Sequence, residues 1–242
     1  MELPDFFDQV PKLRVRDPLA ELLGCATAGE LEYSYADAVR LTGHSCPTVA
    51  AAYWLTWLSL AHLYPDALPE RGAIRVEFQE GARSGSTGVV AAVVQQLTGA
   101  AGSTGFKGLG GRFNRAGLIR FSPDLPLSLR FTRIDTGQAV DAAADLSLVP
   151  SDPVLELLLA RCAQGQGSAS ELRLLGELWQ GRVRMLLLDL ADDPGVFKVR
   201  PVEKRGARPV VRSPLERRES ARAGMHVVQL PIRETAILRD AS

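Results

Sequence analysis

The sequence predicts an α+β fold, with a mostly antiparallel sheet packed against a long buried helix and further helices. Three observations lead there. Leu41 to Tyr64 holds no Asp, Glu, Lys or Arg. Ala73 to Gln79 alternates, with Ile74, Val76 and Phe78 on one face and Arg75, Glu77 and Gln79 on the other, the period of a half-buried strand. From Pro153 to about Leu190 the chain carries two helix starts with apolar runs.

Taken in order, Asp17 through Gly29 reads as a short helix with Asp17 as its N-cap, Pro18 at the first helical position and Gly24 near its C-terminal end. Thr42 and Ser45 supply hydroxyls to cap the long helix, whose clean part runs from about Thr48 to Tyr64, 17 residues, or about 25 Å at 1.5 Å per residue. That is short for a bilayer span, and Gly43, His44, Ser45 and Pro47 occupy the first turns of the uncharged stretch, so it reads as a buried core helix. After the strand at Ala73 comes Glu80 to Gly88, rich in Gly and Ser, then a helix over Val89 to Leu97 stopped by Gly99. Strands are predicted at Leu118 to Phe121 and Leu127 to Ile134, with a turn at Asp135-Thr136-Gly137 leading into Gln138 to Ala142. Pro153 opens a helix to Ala163, and Ser170 caps another running to about Leu190.

Residues 1–195 form the core in this reading. Residues 196–242 form a basic linker and a strand-like tail, Met225 to Leu230 and Ala236 to Leu238, docking on the core. Nine Lys or Arg face three Glu across Lys198 to Arg222. Without interleaved aromatics this run reads as a solvated linker rather than a nucleic-acid surface.

The whole chain of 242 residues carries 28 Lys+Arg against 28 Asp+Glu, with 46% hydrophobic and 23% charged residues. Wholesale disorder and a nucleic-acid coat are disfavoured by that balance. Three cysteines are too few for a disulfide scaffold or a four-cysteine zinc module, and they fit a reducing, cytoplasmic compartment. Asp5, Asp8 and Pro11 interrupt the opening residues where a signal peptide needs an apolar run.

Chemistry concentrates at Thr42-Gly43-His44-Ser45-Cys46-Pro47-Thr48. An imidazole and a thiol two residues apart in an extended stretch point to one side. A divalent metal, zinc above all, accepts both, and a helix N-terminus favours a thiolate. Two donors do not complete a site, so the remaining ligands would come from afar, from a second subunit or from water. As an enzyme, the protein would use the ion as a Lewis acid with Glu80 as general base, or Cys46 as a nucleophile with His44 as its base. The Gly-rich turn adds Arg83, Ser86 and Thr87 as substrate-binding candidates, and Lys107 in a second Gly-rich turn could neutralise an anion held at the Thr87–Gly88 backbone. A serine hydrolase built on Ser45 is a minor alternative, weakened because Pro47 replaces the last Gly of a nucleophile elbow.

Gly43-His44-Ser45-Cys46-Pro47 before an Ala-rich apolar helix, the Gly-rich Glu80 to Gly88, Gln96-Leu97-Thr98-Gly99 and Gly105-Phe106-Lys107-Gly108 together resemble the FmdE family. That family takes its name from a component of formylmethanofuran dehydrogenase. The resemblance covers roughly residues 30–135. It implies an α+β core, His44 and Cys46 as site residues around a metal, and a homodimer. Members often carry a Cys in the segment after the first strand and an acidic residue at the following helix, and Glu80 to Gln96 contains no Cys and no Asp. The C-terminal zinc finger of many members is also missing. The expected function is metal binding, extended in an enzymatic version to metal-dependent chemistry on a small molecule. The alternative is a non-catalytic module for a metal or small ligand, without membrane or nucleic-acid partners.

Overall fold

A computed structural model describes residues 3–122 and 124–203. They form an α+β unit with a five-stranded sheet, a separate two-stranded ribbon and six α-helices. The ribbon pairs β1 (Leu13–Arg16) antiparallel with β2 (Glu30–Tyr33). Leu13 and Val15 point into the core while Arg14 and Arg16 stay out, so the ribbon covers the core with one face. Between these strands lies α1 (Pro18–Leu22). Asp17 caps it by accepting from the backbone N–H groups of Leu19 and Ala20, as the Asp-Pro pair predicts.

Next comes α2 (Tyr35–Thr42), a helix that is not among the sequence expectations. Its start is a reciprocal cap between Ser34 and Asp37 and its end is Gly43 in the left-handed conformation, φ +78°. The long helix α3 covers Pro47–Leu63, 17 residues. Its cap corrects the expectation of a hydroxyl: Cys46 is the N-cap residue, and its Sγ accepts from Val49 N at 3.4 Å. Thr42 instead turns back onto the carbonyls of Ala38 and His44. Burial reaches all sides of α3: Val49, Tyr53 and Leu60 are fully enclosed, and Trp54 and Leu55 nearly so. Each large side chain enclosed this way contributes about 1.5–3 kcal/mol relative to exposure. Tyr53 also donates from its hydroxyl toward the carbonyls of Pro11 (2.8 Å) and Tyr33 (3.0 Å), fastening α3 to the ribbon. No helix among the described residues is long and apolar enough to cross a membrane.

The sheet contains β3 (Ile74–Phe78), β4 (Ile119–Phe121), β5 (Leu129–Arg133), β6 (Ala139–Ala144) and β7 (Phe197–Pro201), in the order β4-β3-β5-β6-β7. Three of its four pairings are antiparallel; β3 and β4 are parallel. That pair needs a crossover, supplied by α4 (Thr87–Thr98), which Gly99 ends at φ +70°. The alternation read at Ala73 to Gln79 holds: Ile74, Val76 and Phe78 are buried. α3 packs against β5, β6 and β7 and is flanked by α2 and α4.

Beyond the sheet, α5 (Val154–Ala163) and α6 (Ala169–Arg184) pack on each other. Ser168, not Ser170, caps α6, in a reciprocal pair with Glu171. The helix then widens into a π turn over Met185–Asp189. The boundary expected at residue 195 also moves. β7 pairs with β6 from Val140↔Pro201 to Ala144↔Phe197, so Lys198 and Arg200 belong to a strand rather than to a linker. One compact unit reaches Glu203. The tail strands expected at 225–230 and 236–238 lie outside the described residues.

Candidate functional site

The motif at the start of α3 is held from both sides by hydrogen bonds through Ser45. Its hydroxyl donates to Gln180 Oε1 of α6 at 2.9 Å and therefore accepts from the Tyr35 hydroxyl of α2, also at 2.9 Å. The Ser45 carbonyl accepts from Trp179 Nε1 at 2.9 Å. Burial pushes the Tyr35 phenol well above its ordinary range, against the opposing pull of the Ser45 hydrogen bond, so Tyr35 stays a donor. Among the described residues no imidazole takes the Ser45 proton, which leaves the serine-nucleophile alternative without a base there.

His44 is exposed, and its Nδ1 lies 3.0 Å from the Thr42 carbonyl. A carbonyl only accepts, so Nδ1 donates, and in the neutral ring Nε2 is the nitrogen that offers a lone pair. Cys46 is half-buried against the core, its sulfur directed at its own helix start. The three cysteines are free: Cys25 is exposed, Cys46 and Cys162 half-buried. Among the described residues no three His, Cys, Asp or Glu side chains gather as a metal-holding group. One chain thus brings two donors where tetrahedral zinc takes four; the set is incomplete. His226, the remaining distant candidate, lies outside the described residues.

A separate cavity of about 320 Å³ opens beside the first turns of α3. Its floor is apolar, formed by Ala51, Ala52 and Leu55 of α3 with Phe78 of β3. Its rim is polar and includes Thr48, Glu80, Ser86 and Thr87. The positions 48, 51, 52 and 55 share one helix face, whereas Cys46 turns toward the core. Neither His44 nor Cys46 lines the cavity.

Of the residues singled out from the sequence, three therefore meet here. Glu80 is exposed and accepts from the Ser84 hydroxyl at 2.5 Å, which closes the Gly-rich turn. Ser86 precedes α4 without capping it through its side chain. Thr87 opens α4, but its backbone N–H already donates to the Ser84 carbonyl at 3.0 Å, which removes it from the expected anion cradle. Arg83 and Lys107 are exposed and line no part of this cavity. Among the described residues Glu80 is the one charged group on the lining.

Sequence reasoning missed Thr48, Gln79 and Ser128, which also border the cavity. Thr48 had a readable signal, a polar residue in the first turn of an otherwise apolar helix. Ser128 had none, because it reaches the rim through the β3–β5 pairing.

A scan of protein-family models finds none that matches this chain, and no curated protein matches it.

Proposed function

We propose that the protein binds a small molecule in the cavity beside α3, with an apolar part on the Ala51–Leu55 floor and a polar end at the Glu80 rim. One observation carries this reading: Glu80, Ser86 and Thr87, distant from α3 in sequence, meet Thr48 around a single cavity of ligand size. The sole charge on the described lining is a carboxylate, so the polar end is cationic or neutral rather than anionic. In an enzymatic version, Glu80 accepts a proton from the bound molecule. The free thiols, one of them exposed, support a reducing, cytoplasmic location.

The test compares hexylamine, hexanol and hexanoate by isothermal titration calorimetry. Hexylamine binds most tightly and hexanoate least, Glu80→Gln removes that order, and Ala51→Trp blocks all three by filling the floor. Equal affinities unaffected by Ala51→Trp would reject the reading.

A second reading, metal binding in the manner implied by the FmdE resemblance, is supported by the exposure of His44, whose Nε2 makes no hydrogen bond among the described residues, two positions before the free thiol of Cys46. Completing the donor set requires ligands beyond these two, and a second copy of the chain in a homodimer is the economical source. Cobalt(II) titration tests it: a thiolate-to-cobalt absorption band that disappears in Cys46→Ser, together with a dimeric mass by light scattering, supports it. Cobalt uptake equal in wild type, Cys46→Ser and His44→Ala removes it.

A further inference from the structure

A second cavity, of about 370 Å³, lies on another part of the unit and is lined by Arg16, Arg71, Arg112 and Arg115 with Glu70 as the single acid. We propose that it binds a phosphate group, carried by a small molecule whose organic part rests near Phe113.

The arginines are fixed before any ligand arrives. Asp17 is 2% exposed and lies beneath the cavity rather than on its lining. Arg115 Nη2 sits 2.6 and 2.7 Å from its two carboxylate oxygens, and Arg71 Nη1 sits 2.9 Å from one of them. Arg71 is further held by donating from Nε and Nη2 to the Gln96 carbonyl. Holding two guanidinium groups in place removes the side-chain entropy that a ligand would otherwise have to overcome.

Unused donor capacity remains. Arg112 has no carboxylate within 4 Å among the described residues; its guanidinium stacks on the Phe113 ring, 4.6 Å from the centroid. The loop that carries it is shaped by backbone hydrogen bonds exchanged between Leu109 and Arg112. Arg16 is shared, with Nη2 on Glu21 at 2.6 Å and Nη1 on Glu70 at a looser 3.4 Å, which leaves it free to exchange Glu70 for a stronger anion.

Four guanidinium groups against Glu70 on the lining and Asp17 and Glu21 behind it leave a net positive charge that favours an anion, and forked guanidinium donors match the oxygens of phosphate. The volume exceeds what inorganic phosphate fills, which leaves room for an organic substituent against the Phe113 ring. This cavity shares no lining residue with the one at α3, and the inference does not depend on that ligand.

The full chain is titrated with inorganic phosphate and with phenyl phosphate by calorimetry, at matched ionic strength in potassium chloride. Saturable binding of either, weakened about tenfold or more by Arg112→Gln at unchanged melting temperature, supports the proposal. Tighter binding of phenyl phosphate identifies a phosphate monoester as the ligand, and equal binding identifies free phosphate. Arg112 is exposed and outside the Asp17 cluster, so its variant folds; Arg16→Gln serves as a second probe with the same expected loss. Heat no greater than that of the chloride control, or affinities unchanged in both variants, would overturn it. Ala51→Trp, which fills the other cavity, leaves phosphate binding intact and separates the two sites.

Discussion

Ser45 and Asp17 both stand at the start of a helix and both tie distant segments together, yet they do so by different physics. Around Ser45 the partners are neutral: a phenol, an amide and an indole, spanning α2 and α6. Around Asp17 they are charged, a carboxylate beneath two guanidinium groups that belong to residues 54 and 98 positions away. A neutral group that loses its partner exposes one unsatisfied dipole; a buried charge that loses its partner exposes a full charge. The two junctions therefore fail by different amounts, and the second also leaves behind a surface biased toward anions.

The comparison is broken most severely by Asp17→Asn. Arg71 and Arg115, each with a side chain 15% exposed, would keep their charges without the carboxylate, and the expected loss is about 3–5 kcal/mol. Differential scanning calorimetry would read this as a fall of roughly 10 °C in melting temperature. Acid titration sharpens the same point. Burial alone would raise the Asp17 pKa, but hydrogen bonds from Arg71 and Arg115 outweigh it and hold the carboxyl below its ordinary value. Its stabilisation is then complete above the unfolded pKa of about 3.9 and fades as pH falls through the lower folded value. Wild-type stability should decline more steeply than that of Asp17→Asn below about pH 4, as followed by urea unfolding at each pH.

Smaller effects are expected at the neutral junction. Gln180→Ala removes the acceptor of the Ser45 hydroxyl and should cost about 1 kcal/mol, with near-ultraviolet circular dichroism reporting the altered surroundings of Trp179 and Tyr35. Smallest of all is Arg14→Ala on the ribbon. Its 2.6 Å pair with Glu30 joins side chains that are 60% and 47% exposed, and solvent screening limits such pairs to less than about 1 kcal/mol. A melting temperature within roughly 2 °C of wild type is expected.

Much of the fold was legible because its signals are local. The uncharged run specified α3, alternation specified β3, and Gly99 marked the end of α4. The ribbon and α2 were missed although β1 alternates and Ser34-x-x-Asp37 spells a capping box; four-residue strands and an eight-residue helix give short patterns that compete with ordinary loops. The cap on α3 was misassigned because hydroxyls are the usual choice and a sulfur took the role. At the candidate site, Glu80, Ser86 and Thr87 were found because they share one Gly-rich turn. Arg83 and Lys107 show the limit of that reasoning, since charge and proximity in sequence do not fix the direction of an exposed side chain. The Asp17–Arg71–Arg115 cluster had no local signature: Asp17 was read as a helix cap, which it is, while its other oxygen and both arginines meet only through tertiary packing.

The wide turn at Met185–Asp189 inserts an extra residue into one helical circuit, closed by the Leu190 N–H donating to the Met185 carbonyl at 2.9 Å. Downstream, the Ala191 carbonyl accepts from Trp54 Nε1 at 2.8 Å in the buried centre. Deleting one residue from this turn would restore regular winding but rotate everything after it by about 100°, pulling Ala191 away from the indole and shifting the approach to β7. The bulge therefore acts as a phase adjustment between the last helix and the sheet's final strand. It lets Leu186 and Leu187 stay enclosed while the following chain arrives in step with β6.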